Sequence, residues 1–313
     1  MTDTIERELT ISARPETVFG FLTDPEKVAR WMGRSVTGDG RVGGALRVDY
    51  NGFDIMRGRF IELVPFSRVV LAWGWESLDP EAIQPGASRV EFTLASEGSA
   101  TKLRMVHSGL TAMATASHSE GWDVFLPRLG EAAAGGEPAT LSAPLSEAEE
   151  AGARLNALLI RLIDAVEACP ASRWAAVIAH EGQTTGALAH HIVQHTGLVA
   201  FVHAIGDGIR GPQADFTAEA LDGFNAAHAR EFAGVTREDV LRDARSLGSQ
   251  AVSTLRAMTS AQLAQSQSMT FADGAELRGI DIVQGPLLSH IDQHLSAFMA
   301  TAEGQATGLV QGE

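Results

Sequence analysis

Two segments of the chain carry histidines at helical spacing. Gly285-Pro-Leu-Leu-Ser-His290-Ile-Asp-Gln-His294 and Leu188-Ala-His-His191-Ile-Val-Gln-His195 are both apolar and helix-like. Positions i and i+4 lie one above the other on a helix, so His290 and His294 can aim two imidazoles at one point. A third imidazole from the earlier segment would complete a three-nitrogen metal site with an open fourth position. That is the layout of a catalytic zinc ion, whereas structural zinc is closed by four protein ligands. Neutral imidazoles leave a divalent ion its full positive charge, which activates water or polarises a carbonyl or thiol. Zinc is the first expectation, and nickel, iron or copper suit the same three nitrogens.

Three histidines of the earlier segment compete for the third place. His190 is turned about 100° from His191 on a helix, so the two cannot face one ion equally. His195 is one turn on from His191 and shares its face. It could be a fourth ligand, a proton-shuttling catalytic base, or a neighbour of the site. Asn225, within Phe224-Asn-Ala-Ala-His228, is a candidate substrate contact. His180, His203 and His228 show no partner pattern and read as structural.

A second group of candidates lies in the first half. His107 shares strand parity with Leu103 and Met105, on the covered side of a strand. His118 and Trp122 are four apart on a helix, and Trp73 and Trp75 share one face of a strand. These five residues read as cavity wall or as core. Gly40-x-x-Gly-Gly is a turn, not a phosphate cradle, because no helix follows it. Cys169, the single cysteine, excludes intrachain disulfides and reads as a buried structural thiol.

The elements that must position these residues differ between the two halves. Residues 1–132 alternate polar and apolar residues as antiparallel strands do, for example Arg89-Val-Glu-Phe-Thr-Leu-Ala and Thr101-Lys-Leu-Arg-Met-Val-His. Pro15 opens a short helix. A closing helix spans about 113–133, and Pro127 should kink or interrupt it. Residues 133–144 are small, polar and broken by Gly and Pro, and read as a linker. Residues 145–313 are helical in pattern: a Ser146-x-x-Glu149 capping box, a helix from Thr184 or Thr185 to about Ile205, one over Thr217–Phe232, one capped by Thr236, and a last one beginning at Pro286.

Length and composition narrow the classes. The chain has 313 residues, 45% hydrophobic and 20% charged, enough for two domains with proper cores. A net charge of −15 and only two lysines, Lys27 and Lys102, argue against a nucleic-acid or anionic-membrane partner. No signal-like or membrane-spanning stretch is visible, so a cytoplasmic location is expected.

The first half resembles the START-like (SRPBCC) superfamily, in the branch of activator-of-heat-shock-ATPase homologues. The matching residues are Ile11-Ser-Ala-Arg-Pro-Glu-Thr-Val-Phe, Leu22-Thr-Asp-Pro-Glu, Trp31, Arg41-Val-Gly-Gly, Arg57-Gly-Arg-Phe-Ile-Glu-Leu-Val-Pro, Arg68-Val-Val-Leu-Ala-Trp, His107-Ser-Gly-Leu and Gly121-Trp122. The resemblance implies a helix-grip fold, an α+β architecture whose antiparallel sheet wraps a long C-terminal helix around an apolar cavity. The second half resembles the DinB-like (DinB/YfiT) superfamily, which includes thiol-dependent transferases and an isomerase. Thr185-Gly-Ala-Leu-Ala-His-His-Ile and Ser289-His-Ile-Asp-Gln-His294 carry that likeness. It implies an all-α four-helix bundle with His191, His290 and His294 as metal ligands and a low-molecular-weight thiol as cosubstrate.

These readings lead to an expected metal-dependent enzyme acting on an apolar small molecule, of transferase, isomerase or hydrolase type. The alternative is a non-catalytic, hydrophobic-ligand-binding or stress-related regulatory protein whose metal is structural or absent. A homodimer formed through the bundle fits either reading.

Overall fold

The computed structural model describes residues 3–140, 143–178, 181–209, 217–269, 272 and 274–304. The chain divides into two compact units, Met1–Pro144 and Leu145–Glu313.

The first unit runs β1 (Asp3–Ile11), α1 (Pro15–Thr23), α2 (Pro25–Ala29), β2 (Ser35–Gly38), β3 (Ala45–Asp49), β4 (Ile55–Val64), β5 (Arg68–Trp73), β6 (Ser88–Glu97), β7 (Ala100–Leu110) and α3 (Ala112–Ala133). All seven strands form one antiparallel sheet in the order β1-β7-β6-β5-β4-β3-β2. Along β6 and β7 every second residue is buried, and Val90, Phe92, Leu94, Leu103 and Met105 supply the core. The turn after β4 places Phe66 at φ 63°, a conformation that costs a bulky residue energy. Its ring is repaid by an edge contact with Phe19, centroids 5.7 Å apart.

Helix α3 runs without a break through Pro127, so of the two expected outcomes, a kink or an interruption, the interruption does not occur. Pro127 is exposed, while Trp122, Leu126, Leu129 and Ala133 form a buried stripe. The ring therefore stands on the solvent side, where the carbonyl that loses its donor can be hydrated. The helix is held to β1 by Arg7, whose guanidinium donates to Asp123 at 2.7 and 3.0 Å and to Ser119 at 2.7 Å.

The second unit contains α4 (Glu147–Ala168), α5 (Ala171–Trp174), β8 (Val177–Ile178), β9 (Gln183–Thr184), α6 (Thr185–His195), α7 (Leu198–Gly206), α8 (Ala218–Glu231), α9 (Arg237–Ala257), α10 (Ser260–Leu263), β10 (Ser266–Met269), β11 (Ala275–Arg278), α11 (Gly279–Ile282), a π-helical segment Val283–Ser289, and α12 (His290–Ala302). The Ser146–Glu149 capping box starts α4. Helix α4 packs on α9, and α6 packs on both α12 and α9.

Three features differ from the expectation. The ladders β8–β9 and β10–β11 interrupt an otherwise helical unit and are too short to leave a periodic signal. The helix expected to reach Ile205 is two helices, because Thr196 Oγ1 turns back to donate to the Val193 carbonyl at 2.7 Å. The last helical run begins at Gly279, not at Pro286. Pro286 is accommodated inside the π-helical segment, whose wider i→i+5 winding tolerates a missing amide proton. Cys169 is buried at the end of α4, and burial pushes its thiol pKa up.

Gly186 opens α6 directly under Trp174. A Cβ there would lie 2.8 Å from the indole, which is itself fixed by Nε1 donating to the Val235 carbonyl at 2.8 Å. Gly186→Ala should therefore destabilise the protein by about 1–3 kcal/mol through overpacking, despite the better helix propensity of alanine. Chemical denaturation followed by circular dichroism would measure it.

Candidate functional sites

The contact of α6 with α12 brings the predicted ligand histidines together. Thr184 caps α6, accepting from the Ala187 amide at 3.2 Å. Leu188, Ile192 and Val193 are fully buried along the helix, and His190 and His191 are buried beside them. His191 Nε2 stands 3.3 Å from His290 Nε2. The candidate ligand atoms of His191, His290 and His294 all lie within 4.8 Å of one another. Nitrogens bound at 2.0–2.1 Å to a tetrahedral ion stand roughly 3.4 Å apart, so small side-chain adjustments would seat an ion.

Protonation favours the same use. Burial first, then the neighbouring His195, His294 and His290, pushes His191 down to about 2. Burial and the adjacent His294 lower His290 to about 4. Both rings are neutral at pH 7 and have lone pairs to offer. The donor set therefore fits a divalent ion of the zinc, nickel, iron or copper type.

His195 is stacked on His290 with centroids 4.0 Å apart, and 4.7 Å from His191. Burial leads the lowering of its pKa to about 3, and its ring hydrogen-bonds to the His191 backbone. It borders the site without belonging to the converging set of three. His190 faces elsewhere. Its Nδ1 lies 2.9 Å from His228 Nε2, and Phe232 stacks on its ring at 3.8 Å. His228 is thus part of a buried imidazole pair, which its lone position in the sequence did not reveal. Asn225 is exposed on α8, and no hydrogen bond found among the described residues joins it to these histidines. His203 pairs with Asp207 at 3.4 Å, and His180 lies outside the described residues.

Sequence reasoning missed Glu181. Its Oε1 lies 3.1 Å from His294 Nδ1, with both side chains largely buried. Glu181 stands 113 residues from His294 in sequence and belongs to no motif, so only the fold could reveal their contact.

In the first unit a cavity of about 660 Å³ opens beside α3. Trp73, Trp75, His118 and Trp122 line it, together with Tyr50, Phe125 and Glu76 among others. His107 is not in the wall. It is fully buried and joins a polar chain: Trp122 Nε1 donates to His107 Nδ1 at 3.1 Å, so the ring proton sits on Nε2 and is given to Ser88 Oγ at 2.9 Å. Ser88 Oγ then donates to the Trp73 carbonyl at 3.2 Å. A parallel link has Trp75 Nε1 donating to His118 Nε2 at 3.0 Å, while His118 Nδ1 donates to the Ala114 carbonyl at 2.7 Å. Burial pushes His107 down to about 3, with the nearby His118 adding to it, and burial also lowers His118. Glu76 is held by Arg47 through contacts of 3.0–3.1 Å. The result is an aromatic chamber in which the rings of His107 and His118 are satisfied internally, while the Trp73 Nε1 of the wall is buried without a hydrogen-bond partner.

Residues 12–134 match the model of the family described as Activator of Hsp90 ATPase homolog 1-like protein. Among solved structures, the AHSA1-like protein of Rhizobium etli is 39% identical, over 47% of this chain and 92% of that one, with a TM-score of 0.38. The Aha1 dimer of Colwellia psychrerythraea is 25% identical over 44% of this chain and 99% of its own, with a TM-score of 0.38. DynU16, from the dynemicin biosynthetic locus, is 26% identical over 41% of this chain, with a TM-score of 0.36; the match spans 46% of DynU16. No curated protein matches the chain. Among the described residues no helix is long and apolar enough to cross a membrane.

The state of His107 makes stability depend on pH. Its folded pKa is depressed, so the unfolded chain binds the proton first, and stability present above about pH 6.5 is lost as pH falls towards about 3. The loss from this residue should reach up to about 1.4 kcal/mol per pH unit within that window. Urea titrations of the parent and of His107→Gln at pH 7 and pH 4.5 should show a smaller acid-induced loss in the variant.

Proposed function

The N-terminal domain belongs to the Activator of Hsp90 ATPase homolog 1-like family, and from that premise we propose a two-part protein. In this reading an N-terminal helix-grip domain holds an apolar small molecule, and a DinB-like four-helix bundle carries a catalytic metal centre. The observation that carries the metal reading is the convergence of the His191, His290 and His294 ligand atoms within 4.8 Å. A bound ion would supply Lewis-acid activation of water or of a low-molecular-weight thiol.

The chain's own residues divide the remaining work. His191, His290 and His294 hold the ion while neutral. His195, in contact with the rings of His191 and His290, is placed to pass a proton at the edge of the site. Three converging imidazoles, with no fourth protein group in the set among the described residues, favour an open position over a closed structural site. The 660 Å³ chamber is of the size that encloses a drug-sized organic molecule, and its tryptophan, tyrosine and phenylalanine walls favour an apolar one.

One observation favours a second reading, in which the N-terminal domain binds and releases its ligand without chemistry. The imidazoles of His118 in the chamber wall and of His107 behind it are already committed to Trp75, Ala114, Trp122 and Ser88. Neither is free to act as a general base.

Elemental analysis of the purified, untagged chain should give about one divalent ion per molecule after reconstitution with zinc. The His290→Ala/His294→Ala double variant, folded by circular dichroism, should retain none. Parent protein that stays metal-free with zinc, nickel, copper and ferrous ion alike would remove the enzyme reading.

A further inference from the structure

Glu181 sits in the loop between β8 and β9, where its amide donates to the Ile178 carbonyl at 3.0 Å and the Gly182 amide donates to the same carbonyl at 2.9 Å. Gly182 follows at φ 66°, a left-handed setting that glycine adopts without strain. Thr185 donates to the Ala176 carbonyl through its amide at 2.9 Å and through its hydroxyl at 3.1 Å. Strand β9 runs straight into α6, so Glu181 lies two residues before a stretch of regular structure that continues to His191. His294 belongs to the opposing helix, α12.

We propose that Glu181 is the positioning residue of the three-histidine centre, fixing His294 for metal binding through its Nδ1. The role rests on the metal reading above. A carboxylate only accepts, so the 3.1 Å contact requires the proton of His294 to reside on Nδ1. The lone pair is then left on Nε2, the nitrogen that can ligate. With side chains only 15% and 17% exposed, the pair is shielded from competing water and from salt. The carboxylate also brings one negative charge close to the converging imidazoles.

His290 also feels the charge of Glu181, but the ring neighbours of His290 and His191 are imidazoles: each other, His195 and His294, with His228 also beside His191. His294 is thus the ligand whose ring orientation is set in advance, and the other two close upon the ion. Glu181 does not itself belong to the converging set. It acts through His294 and not on the substrate.

The test uses the full, untagged chain as parent, Glu181→Gln, Glu181→Ala and His294→Ala, with zinc affinity read by competition against a chromophoric chelator. Glu181→Ala should weaken zinc binding about 10- to 100-fold, the usual cost of losing such a partner. Glu181→Gln keeps an accepting oxygen but no charge, and should recover part of that loss. It is also isosteric, so it keeps the test alive should the alanine variant fold poorly. Melting temperatures of the metal-free proteins should agree closely, which a purely structural Glu181 would not allow. Cobalt-substituted parent and Glu181→Gln should share the same visible band positions, because the carboxylate does not touch the ion.

Zinc affinity in Glu181→Ala within twofold of the parent, beside a clear loss in His294→Ala, would overturn the role. Cobalt bands that move in Glu181→Gln would overturn it too, by making the carboxylate a direct ligand. His294→Ala binding as tightly as the parent is the separate outcome that brings down the three-histidine reading itself.

Discussion

Everything at the histidine centre depends on packing α6 against α12 closely enough that four imidazoles share one partly dry space. His191, His195, His290 and His294 stand with ring centroids 4.0–5.5 Å apart. Protonating two such rings would set like charges side by side in a poorly solvated interior, which is costly on both counts. The depressed pKa values of His191, His195 and His290 express that constraint. A cluster that must stay neutral has lone pairs and little else with which to satisfy itself. Under the proposed metal reading a cation would complete the cluster, whose packing helices are anchored by Leu188, Ile192, Ile291 and Leu295.

The N-terminal domain resolves a comparable problem differently. There the polar atoms of Trp122, His107 and Ser88 are consumed by one another along a chain that ends at the Trp73 carbonyl, and Trp73 Nε1 alone of these groups is left buried without a partner. Tryptophan and histidine are large rings with polar edges, and pairing edge to edge lets their apolar faces remain turned outward. The chamber surface is therefore rich in aromatic rings, with Asp54 and Glu76 as its acidic groups.

Much of this was readable from residue order. The alternation in β6 and β7, the capping box at Ser146, the Thr236 cap and the i, i+4 spacing of His290 and His294 are local signals, and local signals survive in sequence. What was hidden depends on distant partners. Pro127 looked like a break because the helix rule is local, whereas the stripe of Trp122, Leu126 and Leu129 that keeps α3 continuous needs the sheet. His228 and Glu181 carry no pattern of their own, and each gains meaning only from His190 or His294 across the fold. His107 was legible as buried through strand parity, but its bond to Ser88 requires the β6–β7 register. The five aromatic and histidine candidates of the first half separated into four wall residues and one behind the wall for the same reason.

The π-helical segment Val283–Ser289 joins two stretches with different obligations. On one side Ile280 and Ile282 are buried anchors; on the other, His290 and His294 face the polar centre. An uninterrupted α-helix would lock both to a single rotation of about 100° per residue. A wider turn holds an extra residue and so acts as a phase adjuster between them. The apolar anchor and the histidine pair can therefore each take the azimuth that suits its own neighbours, and changes on one side need not be transmitted as a twist to the other.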